Sequence, residues 1–438
     1  MKLYKLSALA AVSILAFAAC STSGATTAPS VAMSDHPAMS ASPSAAPSVA
    51  ASAAASDELG TVVIPAGEAL HIAYWGVLSG VNASLGQDSV QGVTIALNDL
   101  GNKFHGHDIK LTTEDALCSP DGGSAAAAKL AADSTLVGLI GSSCSDETVG
   151  GIAAITAAGL TTISPSNTRP ALTADNRDAT YAGYLRTAHS DAVQGKVAAE
   201  YVFNQLHLTK VATIHDGSSY AQALQQMFAD NFKLLGGTIV GQEAVTADTT
   251  DMSAVLKKIA AEGPELIYMP VFVGPAGYLS AQIPTVKGLE TVKTMGADGH
   301  FTADYLKAAG PASVGHYLSS PNFSAFGDGY KAFLVKRKAA FGGDTLSVFH
   351  AHAYDATNIL FQALNKVVVE NADGSITVPK GALRAAIYAT KDFVGLTGTL
   401  TCTPTGDCGA PVIAVYQITQ ANYDAKKMPD APIWAPAP

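Results

Sequence analysis

The chain has 438 residues, 48% of them hydrophobic and only 14% charged, with a formal net charge of −10. With 36 acidic against 26 basic residues and no basic cluster, the composition excludes nucleic acid or an anionic membrane surface as a partner drawn by charge. It is globular, and longer than a single hydrophobic core usually serves, so two lobes are expected.

Lys2 and Lys5 form a short positive end, an apolar run follows from Leu6 to Ala16, and Phe17-Ala18-Ala19 leads to Cys20. This is the pattern of an export signal. The apolar run of about eleven residues is too short to span a bilayer, which takes roughly 17 to 25. The small-small-Cys ending resembles the lipobox of bacterial lipoproteins, which implies cleavage before Cys20 and acylation of its thiol, giving residues 1–20 as a signal segment. Two acyl chains, at about 0.8 kcal/mol per buried methylene, would hold the mature chain at the outer face of the membrane. Residues 21–58 are almost entirely Ala, Ser, Pro, Thr and Val. Lacking large apolar side chains to offset the entropy of ordering, they are expected to form a disordered tether spanning roughly 35 Å.

From Leu70 onward, strand-length apolar runs alternate with helical patterns. Strands are expected at Leu70 to Val77, Ile109 to Thr113, Leu136 to Gly141, Leu160 to Ile163, Lys210 to Ile214, Thr238 to Val240, Leu266 to Val273 and Thr291 to Met295. Helices are expected at Val90 to Leu100, Gly123 to Ala132, Asp146 to Ala157, Gln194 to Leu206, Tyr220 to Leu235 and Asp251 to Ala261. The alternation implies an α/β fold with parallel sheets covered by helices on both faces. Ligands of such sheets bind beyond the carboxyl ends of the strands. One junction, Gly141-Ser142-Ser143-Cys144-Ser145, places Ser145 as an N-cap whose neighbouring N–H groups can receive a carboxylate. The next, Ser164-Pro165-Ser166-Asn167-Thr168, adds hydroxyls at the same sheet edge.

Outside the cytoplasm thiols tend to pair, and setting Cys20 aside leaves Cys118, Cys144, Cys402 and Cys408, with three pairings open. Cys118 with Cys144 and Cys402 with Cys408 is favoured: the second pair closes a tight Thr-Pro-Thr-Gly-Asp loop, and the first sits at the ends of successive expected strands. A catalytic reading finds no support. The Gly141 to Ser145 segment lacks the G-x-S-x-G spacing of a nucleophile elbow and no adjacent His and acid supply a base. His350 and His352, two apart on an expected helix, point to different sides, so no metal site is expected there. No cofactor is expected.

Several segments in order then resemble one family: Glu114-Asp115-Ala116-Leu117-Cys118-Ser119-Pro120, Ile140 to Ser145, Ile163 to Thr168, Ile214-His215-Asp216 with Tyr220, and Gly296-Ala297-Asp298-Gly299. From Leu70 to about Gln417 the chain is similar to the branched-chain amino acid binding proteins of ABC transporters. The resemblance implies a type I periplasmic binding fold: two doubly wound parallel-sheet lobes joined by a three-strand hinge. Residues 59–187 and 322–400 would form lobe 1, and residues 188–321 and 401–438 would form lobe 2 with a C-terminal extension.

By that resemblance Ser145 and Thr168 bind a ligand α-carboxylate, Ser166 offers a backbone contact, and Asp298 pairs with the α-ammonium. Tyr220 closes over the ligand from the second lobe, Phe272 lies beside it, and Leu85 contacts the ligand side chain. The resemblance also supports the Cys118–Cys144 pairing. Departures weaken the assignment to an unmodified branched-chain amino acid: Asp146 and Glu147 follow Ser145, Val81 replaces a usual Pro, and Ala221 replaces a usual Gly. Related members bind urea, short amides or aromatic acids. The function implied is an extracytoplasmic, lipid-anchored, monomeric solute-binding protein that delivers an amino acid-like ligand to an ABC permease. The alternative is a sensory module in which the same lobe closure signals to a membrane receptor.

Overall fold

The computed structural model describes residues 57–437. Cys20, the signal segment and the tether as far as residue 56 lie outside the described residues. Asp57, placed in the expected tether, is instead part of the fold: its carboxylate accepts from the N–H groups of Gly381 and Ala382 at 2.8 and 2.9 Å, capping the helix Lys380–Tyr388.

Two six-stranded sheets carry the architecture. The first holds β1 (Leu70–Gly76), β2 (Lys103–Phe104), β3 (His107–Asp115), β4 (Leu136–Gly141), β5 (Thr162–Ser164) and β6 (Tyr184–Arg186), in the order β2-β3-β1-β4-β5-β6. The second holds β7 (Lys210–His215), β8 (Thr238–Ala244), β9 (Leu266–Tyr268), β10 (Lys293–Gly296), β11 (Tyr317–Pro321) and β12 (Ile413–Gln417), in the order β12-β11-β10-β9-β7-β8. Pairing is parallel except at the edges, where β2 meets β3 and β12 meets β11 antiparallel.

Every residue of β1 is buried, as a central parallel strand covered on both faces requires. Because side chains alternate, Ile72 and Tyr74 enter one core with Val93 and Leu360, while Ala73 and Trp75 enter another with Leu130 and Ile155. The covering helices follow from this: α1 (Ala83–Asp99) on the first face and α2 (Pro120–Ala132) with α3 (Ser145–Ala157) on the second. Around the second sheet lie α4 (Asp191–Glu200), α5 (Ser219–Leu234), α6 (Ser253–Glu262), α7 (Val273–Gln282) and α8 (Ala303–Ala309). Two further helices, α9 (Asp328–Phe341) and α10 (His350–Val367), return to the first sheet's side and pack against α1.

The expected elements are all present with shifted ends. Helix α1 begins at Ala83 rather than Val90, because Gly86 and Ser89, poor helix formers in isolation, are selected by packing: a Cβ at Gly86 would fall 1.8 Å from the Val77 carbonyl oxygen. The strand expected to run from Leu266 to Val273 stops at Tyr268, since Pro270 cannot donate to a ladder. Regular α-helix from Gln194 ends at Glu200, and Tyr201–Gln205 continues as a wider π turn. Both disulfides join the favoured partners, Cys118 to Cys144 and Cys402 to Cys408.

The chain passes between the sheets three times, after β6, after β11 and before β12. The last crossing comes later than the expected boundary at 400/401. Cys408 packs in the first lobe's core, and its N–H donates to Arg186 O at 3.0 Å, so residues 406–408 run alongside β6 before β12 joins the second sheet.

Candidate functional site

The carboxyl ends of β4 and β5 form one wall. At Gly141, with φ +130°, a Cβ would sit 2.1 Å from Trp75 O, so only glycine lets the chain turn here. The turn then delivers Ser143, Cys144 and Ser145 to the first turn of α3. The cap of α3 is Cys144, not Ser145 as expected; Ser145 is the first helical residue. Glu147 is the reason. Its Oε2 accepts from the N–H groups of Ser143 and Cys144, both at 2.8 Å, and its Oε1 from that of Cys118 at 2.9 Å. Burial pushes this carboxyl up to about 7, against the pull of those three donors. The hydroxyl of Ser145 is thereby free of capping duty and accepts only a long 3.4 Å bond from Arg169 N–H. Ser166 Oγ donates to Ser143 O at 2.8 Å, which ties the two junctions together.

Asp146 and Glu147, acidic residues beside the wall expected to take a carboxylate, are both directed to other partners. Glu147 is turned back under the disulfide loop. The Asp146 carboxylate crosses to the other lobe and accepts from Ser219 N–H at 3.1 and 3.2 Å, at the positive N-terminal end of α5. Nearby, Ser84 donates to Asp304 across the same gap.

The second lobe supplies the facing wall. Tyr220, in the first turn of α5, donates its hydroxyl to Asp298 Oδ1 at 2.7 Å. Phe272 precedes α7, held by Asp216 Oδ2 accepting from its N–H at 2.7 Å, and its ring lies 5.2 Å from that of Tyr220. Asp298, in the short turn after β10, is buried and accepts from Gln194 Nε2 at 3.2 Å. The one basic group within 4 Å among the described residues is His189, at 3.7 Å, and burial lowers its pKa despite the Asp298 charge. The Asp298 carboxylate therefore has hydrogen-bond donors but no strong cation.

These walls meet in one cleft. Leu85, Ser145, Ser166, Thr168, Tyr220, Phe272 and Asp298 all line it, so every expected site residue is brought together. As the lobes stand, the free space between them is about 10 Å³, room for roughly one water. Phe349, at the start of α10, also lines the cleft and was missed, since it carries no polar signal. So was a polar group behind the Asp298 wall. Asp191, the first residue of α4, is fully buried with both carboxylate oxygens lacking hydrogen-bond partners among the described residues, and burial and then Asp298 hold its pKa far above the usual range. A Ser190-Asp191 helix start directly after the expected lobe crossing was the available clue.

Cys144 and His350 have structural roles. Cys144 is in a disulfide and offers no thiol. His350 is a buried core histidine, with Nδ1 2.9 Å from Asp88 Oδ2 and Nε2 2.9 Å from Tyr330 OH. Among the described residues no helix is long and apolar enough to cross a membrane.

Behind Asp298 a second histidine pair has a consequence for acid stability. His300 Nδ1 donates to Val271 O at 2.7 Å and its Nε2 faces His316 Nε2 at 3.0 Å. Burial lowers His300 from 6.5 to about 4. As the pH falls the unfolded chain takes up this proton first, so stability present above 6.5 is lost through the range 6.5 to about 4. In His300→Gln, the loss of unfolding free energy between about pH 7.5 and about pH 5 is expected to shrink by about 2 kcal/mol, as measured by urea denaturation at the two pH values. Equal losses in both proteins would contradict it.

A periplasmic binding protein family model matches residues 69–426. The chain belongs to the periplasmic binding protein family. An amino acid binding protein of Pseudomonas aeruginosa is 32% identical over 234 residues, covering 53% of this chain and 61% of that protein, so the match spans about three fifths of that relative. The leucine-specific-binding protein of Salmonella typhimurium is 28% identical over 254 residues, 58% of this chain and 67% of the relative. Among solved structures, the branched-chain amino acid transporter substrate binding protein of Streptococcus pneumoniae in complex with isoleucine superposes with a TM-score of 0.71 at 23% identity, covering 84% of this chain and all of that one. A solute binding protein of Rhodopseudomonas palustris in complex with benzoate gives 0.68 at 18% identity, covering 84% of this chain and 98% of that one. The family's type I fold and its two α/β lobes are those described above. Its members are solute-binding proteins that work outside the cytoplasm.

Proposed function

We propose that this chain captures a small amino acid-like ligand between its lobes and passes it to an ABC permease, while a lipid on Cys20 and the segment after it hold the lobes near the membrane. One observation carries the reading. Ser145, Ser166 and Thr168 line one wall of a buried cleft whose other wall presents Asp298 without a strong cationic partner. Hydroxyls and helix N–H groups suit a carboxylate, and an unpaired buried carboxylate suits an ammonium, so the two walls read the two ends of a zwitterion. Leu85, Phe349, Tyr220 and Phe272 would surround an apolar side chain. Room for only one water means that ligand enters an open form and that its affinity for the closed form drives closure about the three crossings. The mechanism has no bond-making step, and the protein is not assigned an enzymatic activity.

The rings of Tyr220, Phe272 and Phe349 support a second reading, an aromatic acid, and neighbours solved with benzoate and 4-hydroxybenzoate share the fold. Asp298 argues against it, because an aromatic acid without an amine leaves that carboxylate unpaired. Thermal-shift screening against branched-chain and other amino acids, short amides, urea and benzoates tests the choice. Stabilisation by an α-amino acid is expected; stabilisation by benzoates alone would overturn the zwitterion reading.

Asp146 is assigned to closure, not to ligand contact. Asp146→Ala removes a carboxylate from the α5 N-terminus that only the closed form engages. Ligand affinity is expected to fall by about two- to fivefold, in line with roughly 0.3–1 kcal/mol for a charge at a helix end. Calorimetry with the screened ligand measures this, and an unchanged affinity would remove Asp146 from the closing contact.

A further inference from the structure

A larger cavity, of about 410 Å³, shares no lining residue with the cleft. That size lies within the range of small-molecule sites, roughly 300–1,000 Å³. It opens between α9, the loop 343–347 that leads into α10, and the segment 426–430 that follows the C-terminal helix Gln420–Ala425. Its apolar surface comes from Phe301, Phe323, Tyr330, Leu334 and Met428, with the rings of Phe323 and Tyr330 stacked 6.1 Å apart.

The charges around it are unbalanced. Lys331, Arg337, Lys338, Lys426 and Lys427 line the cavity against Asp344 and Asp430, a local excess of cations in a chain whose net charge is −10. Lys427 is committed to Asp430 at 2.7 Å, and Lys331 lies 3.5 Å from the exposed Asp328. Lys338, Lys426 and Arg337 have no carboxylate within 4 Å among the described residues.

Arg337 decides the matter. It is only 2% exposed, and a buried guanidinium is ordinarily paired with an acid. Here Nε donates to Gln91 Oε1 at 2.8 Å and Nη1 to the carbonyls of Gly342 and Gly343, both at 3.0 Å. All three acceptors are neutral, and Nη2 has no hydrogen bond among the described residues. Ser347, also lining the cavity and 5% exposed, has a buried hydroxyl without a partner among the described residues. A buried donor left unmatched costs free energy that an incoming acceptor recovers.

We propose that this cavity is a second ligand site, binding a small organic anion with an apolar body, its acid group set against Arg337 and Ser347 and its body against Phe323, Tyr330 and Leu334. Fluorescence titration of the full chain with 8-anilinonaphthalene-1-sulfonate tests it, using neutral N-phenyl-1-naphthylamine as the comparison. Saturable binding of the sulfonate is expected, with the neutral dye at least about tenfold weaker, as the loss of a charge-assisted contact implies. Arg337→Gln should weaken the sulfonate by about tenfold or more. Because Arg337 also ties down the 342–343 turn, the double variant Lys338→Gln/Lys426→Gln, on exposed side chains, provides a second reading and should weaken it at least about threefold, a screened surface contribution. Thr168→Val, in the cleft, should leave the sulfonate affinity unchanged. Absence of saturable binding, equal affinity for the neutral dye, indifference to the cavity variants, or loss of binding in Thr168→Val would each overturn the proposal.

Discussion

Asp407→Ala is expected to destabilise the folded protein by about 3–5 kcal/mol, the cost of leaving a buried charge without its partner. Arg186, at the end of β6, is fully buried, and its Nη2 donates to Asp407 Oδ2 at 2.6 Å. Its remaining hydrogen bonds are to the backbone carbonyls of Arg169 and Asn167, at 2.9 and 3.4 Å, and its Nε has no partner among the described residues. Burial, the largest influence, would lower the Arg186 pKa; the Asp407 charge and hydrogen bond, with smaller contributions from Tyr184 and Asp191, together leave it raised. Without Asp407 the guanidinium keeps its charge and loses the group that compensates it. Asp407 lies on the segment before the third crossing and Arg186 just before the first, so the pair also ties two crossings together. Guanidinium chloride unfolding measures the effect through its midpoint, and a loss below about 1 kcal/mol would show that the neutral acceptors suffice. The double variant Arg186→Met/Asp407→Leu is expected to recover most of the loss, since matched apolar replacements of buried pairs are often neutral or stabilising.

The second large effect is on binding. Asp298→Asn is expected to weaken an α-amino acid by about tenfold to a hundredfold, the worth of a hydrogen bond to a charged group, about 1.5–3 kcal/mol. The substitution is nearly isosteric and retains an oxygen to accept from Tyr220 and Gln194, so the fold should be kept while the charge goes. Calorimetry on both proteins, with thermal unfolding as a control for folding, decides it. Unchanged affinity would remove Asp298 as the ammonium partner and favour a ligand without an amine.

What could be read in advance, and what could not, follows from how far apart the determining residues lie. Leu70 to Val77 reads as a buried strand because its apolar run is continuous, and the five junction segments keep the family's order, so the lobes and the seven cleft residues were legible. The first turn of α3 was not. Ser145 looks like a cap from its neighbours, but Cys144 is the cap, fixed there by Glu147 reaching back to Ser143, Cys144 and Cys118. The direction of Asp146 depends on Ser219 in the other lobe. Phe349 and Gln194 reach the site through packing of distant elements, and nothing local in the sequence distinguishes them from core residues; for Asp191 the one local clue is the Ser190-Asp191 helix start. The larger cavity was equally illegible: Arg337 sits in an ordinary helix, and only the fold shows that it is buried without an acid.

Recognition of an amino acid requires the two walls of the cleft to read both ends of a zwitterion. The most direct test is calorimetric titration of the whole chain with leucine and with 4-methylpentanoate, which keeps the carboxylate and side chain but lacks the amine. Leucine, or whichever α-amino acid the thermal screen selects paired with its own des-amino acid, is expected to bind at least about tenfold more tightly than the analogue. Equal or tighter binding of the des-amino acid would contradict the assignment of Asp298 and, with it, the amino acid reading of the cleft.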